Sequence, residues 1–327
     1  MKKIKFISIL VILSLLCSCS LINNAYIAKV NDEQIKVAEY KYYLEVAKFS
    51  IMATAGTSAD DSSFWSTTDI NGKSAIDIVK ETALDDAVKA TIIAQQAKKE
   101  GITLKGSEVN TQIANAKKSE LAVYLKQKGV TDEGLTLALE KAYLRAKLFE
   151  KYKNNNTISV TDESINSFYN DNYLTVKHIL FLTTDPSTST VVRSDEEALL
   201  LANDTIAKIK SGENFDELAK TLSEDPGLAS SPDGYTITDN GQMVAEFESA
   251  AFSLQVNEVS APVKTSYGYH ILKREPLIPF ETFRQTNNIS DIANAILADA
   301  EDKLVEEWKA STKIEKNESE YNKISIS

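Results

Sequence analysis

Histidine is scarce in this 327-residue chain: His178 and His270 are the only two. Cysteine is as rare, and Cys17 and Cys19 both fall within the first twenty residues, so nothing downstream can be closed by a disulfide. Two histidines with no cysteine beyond position 19 make a poor ligand set for zinc, so no metal site and no cofactor are expected. Six prolines and eleven glycines leave little room for low-complexity linkers, and no solenoid-length repeat recurs. Basic side chains are outnumbered, 36 against 47 acidic ones, for a formal net charge of −11. That balance argues against a nucleic-acid partner, because such binding rests largely on neutralising phosphates. The apolar share of 43% is ample for a true core, and the length allows two domains.

The long apolar run that does exist, Phe6 to Leu16, follows the cationic stretch Met1-Lys2-Lys3-Ile4-Lys5 and is too short to cross a bilayer comfortably. It ends in Leu16-Cys17-Ser18-Cys19, which resembles a bacterial lipobox with Cys19 as the acylated residue. Cys17 fits less well because Leu15 and Leu16 precede it. The expectation is a signal peptide over 1–18, export, and tethering to the outer face of a membrane through the acyl chains on Cys19, since stable anchoring takes more than one chain. An ordinary secretory leader with incidental cysteines is the plainer alternative.

From 19 to 173 the pattern is helical. Ala28 to Ile35 predicts a hairpin turned on Asn31-Asp32, and Val37 to Ala55 an amphipathic helix. Phe64-Trp65 is expected to anchor a polar segment onto the helices. A long helix from Ser74 to Glu100 should stop at Gly101. Ser107 is expected to cap a third helix ending before Gly129, Thr131 a fourth and Thr161 a short fifth. After the break at Ile278-Pro279-Phe280, residues 278–327 hold one further long helix, from about Asp291 to Thr312. Its stripe of Ile292, Ile296, Leu297, Leu304 and Trp308 should pack back on the first helices. The tail from Lys316 to Ser327 is expected to fray.

Between these lies 174–277, which predicts an α+β unit in the order β-α-α-α-β-β. Each histidine sits in an alternating, β-branched run, so pairing of the two strands would bring both imidazoles to one sheet face. Ser194-Asp-Glu-Glu197 is a capping box that opens a helix. Taken singly, each site residue has a plainer reading: satisfied core histidines, a turn at Asp225-Pro226, and Met243 with Phe247 as an i,i+4 core pair.

Joint placement changes those readings. His178-Ile-Leu, Gly212-Glu-Asn-Phe215-Asp-Glu-Leu-Ala219, Leu222-Ser-Glu-Asp225-Pro226, the stretch Gly241-Gln-Met243 to Phe252, and Tyr267-Gly-Tyr-His270-Ile-Leu stand in the order and spacing of the parvulin peptidyl-prolyl isomerases. The flanking segments resemble those of the SurA and PrsA exported foldases, chiefly in Ala28-Lys-Val-Asn-Asp-Glu-Gln-Ile35 and Gln95-Gln-Ala-Lys-Lys-Glu-Gly-Ile-Thr103. The chain as a whole looks most like a PrsA-type lipoprotein foldase, with a parvulin domain inserted into a discontinuous helical chaperone domain.

The resemblance implies isomerisation of X–Pro bonds in unfolded or newly exported proteins, and it also allows a homodimer. His178, Asp225, His270 and Thr265 fall on the family's polar site, while Met243, Phe247 and Phe252 fall on or behind its apolar prolyl pocket. One block departs. Where the family usually carries Gly-Gly-Asp-Leu-Gly with a pocket leucine, this chain has Ser230-Ser-Pro-Asp233-Gly234-Tyr235-Thr236. Counting back from Met243 puts Tyr235 at the leucine position, whereas matching on Gly234 puts Asp233 there. Tyr267 also replaces a smaller residue of some members. Two other functions stay open at this point: a chaperone whose parvulin domain binds without catalysing, and a transporter's solute-binding lipoprotein, whose alternating α/β lobes the helical N-terminal region does not match.

Overall fold

A computed structural model describes residues 25–55, 64–65, 69–70 and 72–325. The leader, Cys17 and Cys19 lie outside the described residues. Two compact units result, 160–298 and a discontinuous one that joins the described residues before 160 to those from 299 on. Compared with the 174–277 expected for the sheet domain, the inner unit is wider at both ends.

The discontinuous unit starts with β1 (Tyr26–Val30) and β2 (Glu33–Lys36), an antiparallel hairpin turned at Asn31, whose φ is +55°. The helices α1 (Val37–Ala55), α2 (Ala75–Lys99) and α5 (Asp132–Asn154) follow, with a minor hairpin of β3 (Asp69–Ile70) and β4 (Lys73–Ser74) ahead of α2. Side-chain caps define two of the helix starts. Ser74 accepts the Asp77 N–H and Thr131 accepts the Gly134 N–H. One core of Ile27, Ile35, Tyr40, Leu44, Val79 and Ala83 binds hairpin to helices, and Trp65 is buried in it as expected. Gly134 lets α5 close on α1: a Cβ there would stand 2.0 Å from the Ala38 carbonyl oxygen.

Between α2 and α5, two expectations fail. Ser107 is the first residue of its helix, not its cap; Gly106 holds that place, with φ +124° and no side-chain bond. Nor does one helix run to Gly129. The chain forms α3 (Ser107–Ala116) and α4 (Glu120–Gln127), because Ser119 accepts the Ala122 N–H and opens a new helix. The C-terminal tail does not fray either. Ile314–Lys316 (β9) pairs antiparallel with β1, and α12 (Glu318–Asn322, with α10 and α11 given below) buries Tyr321 beside Tyr40. All three β9 side chains are exposed, so the strand is held mainly by backbone hydrogen bonds, with the Lys316 ammonium over the Tyr321 ring, and no apolar pattern marks it. The returning helix packs back as expected only in its second half: Trp308 stacks on Phe149, ring centres 6.4 Å apart, and Lys309 pairs with Asp85. Ile292 and Ile296 near its start join a separate core.

The inner unit is a four-stranded antiparallel sheet in the order β6-β5-β8-β7. Its strands are β5 (Tyr173–Leu182), β6 (Tyr235–Thr238), β7 (Val263–Lys264) and β8 (Gly268–Glu275). The predicted order lacked β6, and the strand expected over Val259 to Lys264 shortens to two residues plus a single bridge from Val259 to Lys273. The period-2 alternation divides the sheet faces as expected. Ile179, Phe181 and Ile271 pack under α7 (Asp195–Lys210) and α8 (Phe215–Leu222). On the opposite face Leu174, Val176 and Leu272 pack under α9 (Ala245–Ser253). The Ser194/Glu197 capping box opens α7 as its sequence signature implies. A satellite core joins α6 (Asp162–Asn172), capped by Thr161, to α10 (Phe280–Thr286) and to Ile292 at the start of α11 (Ser290–Ala310).

Candidate active site

His178 on β5 stands opposite Leu272, and Leu180 opposite His270, so the two histidines are diagonal neighbours on the α9 face. Their rings stack within 10° of parallel, centres 5.2 Å apart, and Phe247 of α9 meets both edge-on. Both imidazoles are buried, at 7% and 4% exposure.

Asp225 reaches this face because the segment before it is stitched onto β5. Ser223 Oγ accepts the Leu180 N–H, and the Glu224 N–H donates to the Leu180 carbonyl. The Glu224 carboxylate accepts the Leu182 N–H at 2.7 Å and is gripped by both guanidinium nitrogens of Arg193, which also donates to the Leu182 carbonyl. This clamp sets the height of the next residue. Asp225 Oδ2 then lies 2.9 Å from His178 Nε2 and 2.7 Å from the Tyr235 hydroxyl, while Oδ1 accepts the Gly227 N–H.

Burial alone would raise the Asp225 carboxyl, but the bonds from His178, Tyr235 and Gly227 outweigh it and bring it down to about 2. An ionised carboxylate only accepts, so His178 carries a proton on Nε2. His178 Nδ1 and His270 Nδ1 are hydrogen-bonded at 2.9 Å, and His270 Nε2 is hydrogen-bonded to the Thr265 hydroxyl at 2.9 Å. Thr265 Oγ1 in turn accepts the Tyr267 N–H. Burial, helped by the neighbouring His178 and opposed by Asp225, pushes His270 down to about 3, in keeping with a neutral ring. The result is an unbroken row of hydrogen bonds from Tyr235 to Tyr267, with no free nucleophile in it.

Above the row lies a cavity of about 310 Å³ walled by Leu180, Leu182, Met243, Val244 and Phe247, with both histidines and Asp225 at its polar side. Tyr235 also lines it, and Tyr235 faces a second cavity of about 400 Å³, lined by Leu228, Ala229, Pro232 and Lys177 among others. Lys177 is committed to Asp216 at 3.0 Å.

The structure brings His178, Asp225, His270 and Thr265 together and sets Tyr235, Met243 and Phe247 around the cavity. Phe252 is not among the lining residues; five positions beyond Phe247 on the same helix, it turns well away and packs in the core behind. Met243 precedes α9 rather than sitting one turn from Phe247 on it, and buried Glu248 holds it by accepting the N–H groups of Met243 and Gly241. Of the two candidates for the pocket leucine's place, Tyr235 lines the cavity and Asp233 does not. Glu248, Glu224 and Arg193 were missed, although the alternation that placed His178 also marks Leu180 and Leu182 as sharing its face.

Comparison with known proteins shows the family. The foldase protein PrsA of Caldanaerobacter subterraneus is 31% identical over 308 residues, covering 90% of each chain. The chain belongs to the PrsA foldase family. Within it, the PPIC-type PPIASE domain matches residues 163–275, and the SurA-like N-terminal domain matches residues 2–139. The PrsA foldase protein of Geobacillus kaustophilus is 42% identical over 119 residues, covering 36% of this chain and 37% of that one. A crystal structure of the peptidylprolyl isomerase PrsA from Bacillus anthracis is 23% identical and covers 70% of this chain and 98% of that one, at a TM-score of 0.31. As a PrsA-family member the chain is a peptidyl-prolyl cis-trans isomerase, with the parvulin domain set within helical segments.

Proposed function

We propose that this chain works outside the cytoplasm as a lipid-anchored foldase, isomerising X–Pro bonds of exported proteins while its helical unit holds unfolded client. The observation that carries the catalytic part is the hydrogen-bonded row of the two imidazoles and ionised Asp225 beneath an apolar cavity. Amide resonance makes rotation about a peptide bond slow, with a barrier of about 18–20 kcal/mol. Catalysis requires only that the twisted amide be favoured over the planar one. Met243 and Phe247 suit a pyrrolidine ring through polarisability and flat shape. A dry apolar surround favours the less charge-separated twisted amide over its solvated planar form. The imidazoles orient and polarise rather than attack.

The test is cis/trans isomerisation of a short prolyl peptide by the chain from Asn23 onward. Asp225→Ala is expected to lower kcat/KM about tenfold, the effect of losing one charged hydrogen-bonding partner. Equal rates in both proteins would sink the catalytic reading. A wild-type chain that suppresses client aggregation without accelerating the peptide would select the binding-only reading instead. The anchor rests on the Leu16-Cys17-Ser18-Cys19 sequence. Cys19→Ala in the full chain is expected to move the protein from the membrane fraction to the medium or the soluble fraction, and retention at the membrane would rule out Cys19 as the lipid site.

A further inference from the structure

Tyr235 stands where the resemblance leads one to expect a leucine, and its hydroxyl does something no leucine can. It donates to Asp225 Oδ2 at 2.7 Å, the same oxygen that accepts from His178 Nε2 at 2.9 Å. We propose that Tyr235 is a positioning residue for isomerisation, its phenol acting through Asp225 to hold His178 in the tautomer and ring orientation that the proline site requires. The inference rests on the isomerase reading of this site.

Three observations support it independently. The first is strand geometry: β6 pairs with β5 so that Tyr235 lies opposite Val176, on the face that carries His178, and the two rings meet edge-on at 5.6 Å. The second is space. Gly227 has no Cβ where one would lie 2.2 Å from the Tyr235 oxygen, and the N–H of Gly227 donates to Asp225 Oδ1. A glycine two residues after the aspartate thus both supplies a donor and leaves room for the phenol. The third is direction. Tyr235 stays protonated, because burial and then the Asp225 charge raise its phenol, so it can only donate along this bond. With both oxygens of Asp225 held, the carboxylate cannot swing away from His178. The other charged groups near it are engaged elsewhere: Glu224 with Arg193, Lys177 with Asp216, and Lys220 with Glu217, while His270 faces Thr265 and His178.

Tyr235→Phe keeps the cavity wall and removes only the hydroxyl. It is expected to lower kcat about three- to tenfold on a prolyl peptide, the range for the net worth of one typical hydrogen bond, with KM within about twofold of wild type. Tyr235→Leu removes the wall as well and should add a rise in KM. Gly227→Ala, which pushes on the phenol from the other side, is expected to reproduce the kcat loss of Tyr235→Phe. Two readouts separate this role from mere packing. In an Asp225→Ala background, Tyr235→Phe should cost nothing further. The ¹⁵N shifts of His178, fixed as an Nε2–H tautomer in the wild type, should move toward a tautomer mixture in Tyr235→Phe. An unchanged kcat and unchanged His178 shifts in a folded Tyr235→Phe protein overturn the proposal, as does a full additive loss in the Asp225→Ala background. A wild-type chain with no isomerase activity defeats the underlying reading instead, so the two failures are distinguishable.

Discussion

Lowering the pH from 7 to 4 is expected to weaken the 160–298 unit by about 3 kcal/mol, most of it through His270. The sign follows from proton counting. Unfolded, His270 takes a proton near pH 6.5; folded, burial beside His178 holds it neutral down to about 3. Between those values the unfolded chain binds a proton that the native one refuses, so stability falls as pH falls. Asp225 acts in the same direction lower down, its carboxyl ordinarily titrating at 3.8 but held at about 2 in the fold. The contribution of Asp225 is therefore complete above 3.8 and is lost as pH drops toward 2. Both tryptophans, Trp65 and Trp308, belong to the other unit, so the measurement is amide hydrogen exchange at β5 and β8 in the intact protein. His270→Asn is expected to flatten the slope between pH 6.5 and 4, whatever its stability at pH 7. Parallel slopes for wild type and variant would mean that the buried imidazole pair is not what makes this unit acid-sensitive.

What the sequence revealed and what it hid divides along the physics of each element. Helix starts were visible at the side-chain caps Ser74, Thr131, Thr161 and Ser194, but not at Ser119, which the expected single helix ran through. Where the backbone begins a helix unaided, as at Gly106, the nearest serine misled. The sheet histidines were legible because alternation assigns faces, and diagonal pairing needs only that the two strands be neighbours. β6 was hidden for the opposite reason. Four residues with Ile237 alone buried, following the turn Pro232-Asp233-Gly234, carry too little apolar pattern to announce a strand. β9, with every side chain exposed, carries none. The placement of Phe252 erred through period: five residues on a helix advance the direction by about 140° from the starting face, a different side from that of Phe247. The polar braces were illegible in principle. That Glu224 holds the end of β5, that Glu248 holds Met243, or that a tyrosine shares an aspartate with a histidine are facts of three dimensions.

The discontinuous unit should respond to pH in the opposite sense once its buried charge pair is broken. Lys141 on α5 donates to Glu39 of α1 at 2.6 Å and to Thr91 of α2 at 2.8 Å, so one ammonium ties three helices together where almost no water reaches. Thr91 passes its own proton to the Ala87 carbonyl, which leaves its oxygen free to accept. Burial raises the Glu39 carboxyl, and Lys141 only partly offsets this. Removing the lysine leaves an uncompensated buried carboxylate, and Lys141→Met is expected to destabilise this unit by about 3–5 kcal/mol at pH 7. Glu39 can escape by taking a proton, so its folded pKa should rise further above the unfolded value of 4.5. The native variant then binds a proton that its unfolded chain does not, and its deficit should shrink as pH falls from 7 to 5. Replacing both partners, Glu39→Leu with Lys141→Met, should recover most of the loss, because an apolar pair of similar volume leaves nothing charged in the core. Urea unfolding followed by tryptophan fluorescence reads this unit directly, since Trp308 stacks on Phe149 and Trp65 is buried in its core. A deficit below about 1 kcal/mol would place Lys141 in the range of a surface pair rather than a buried one. A deficit equal at pH 5 and 7 would mean that the cost comes from lost packing and not from the charge left on Glu39.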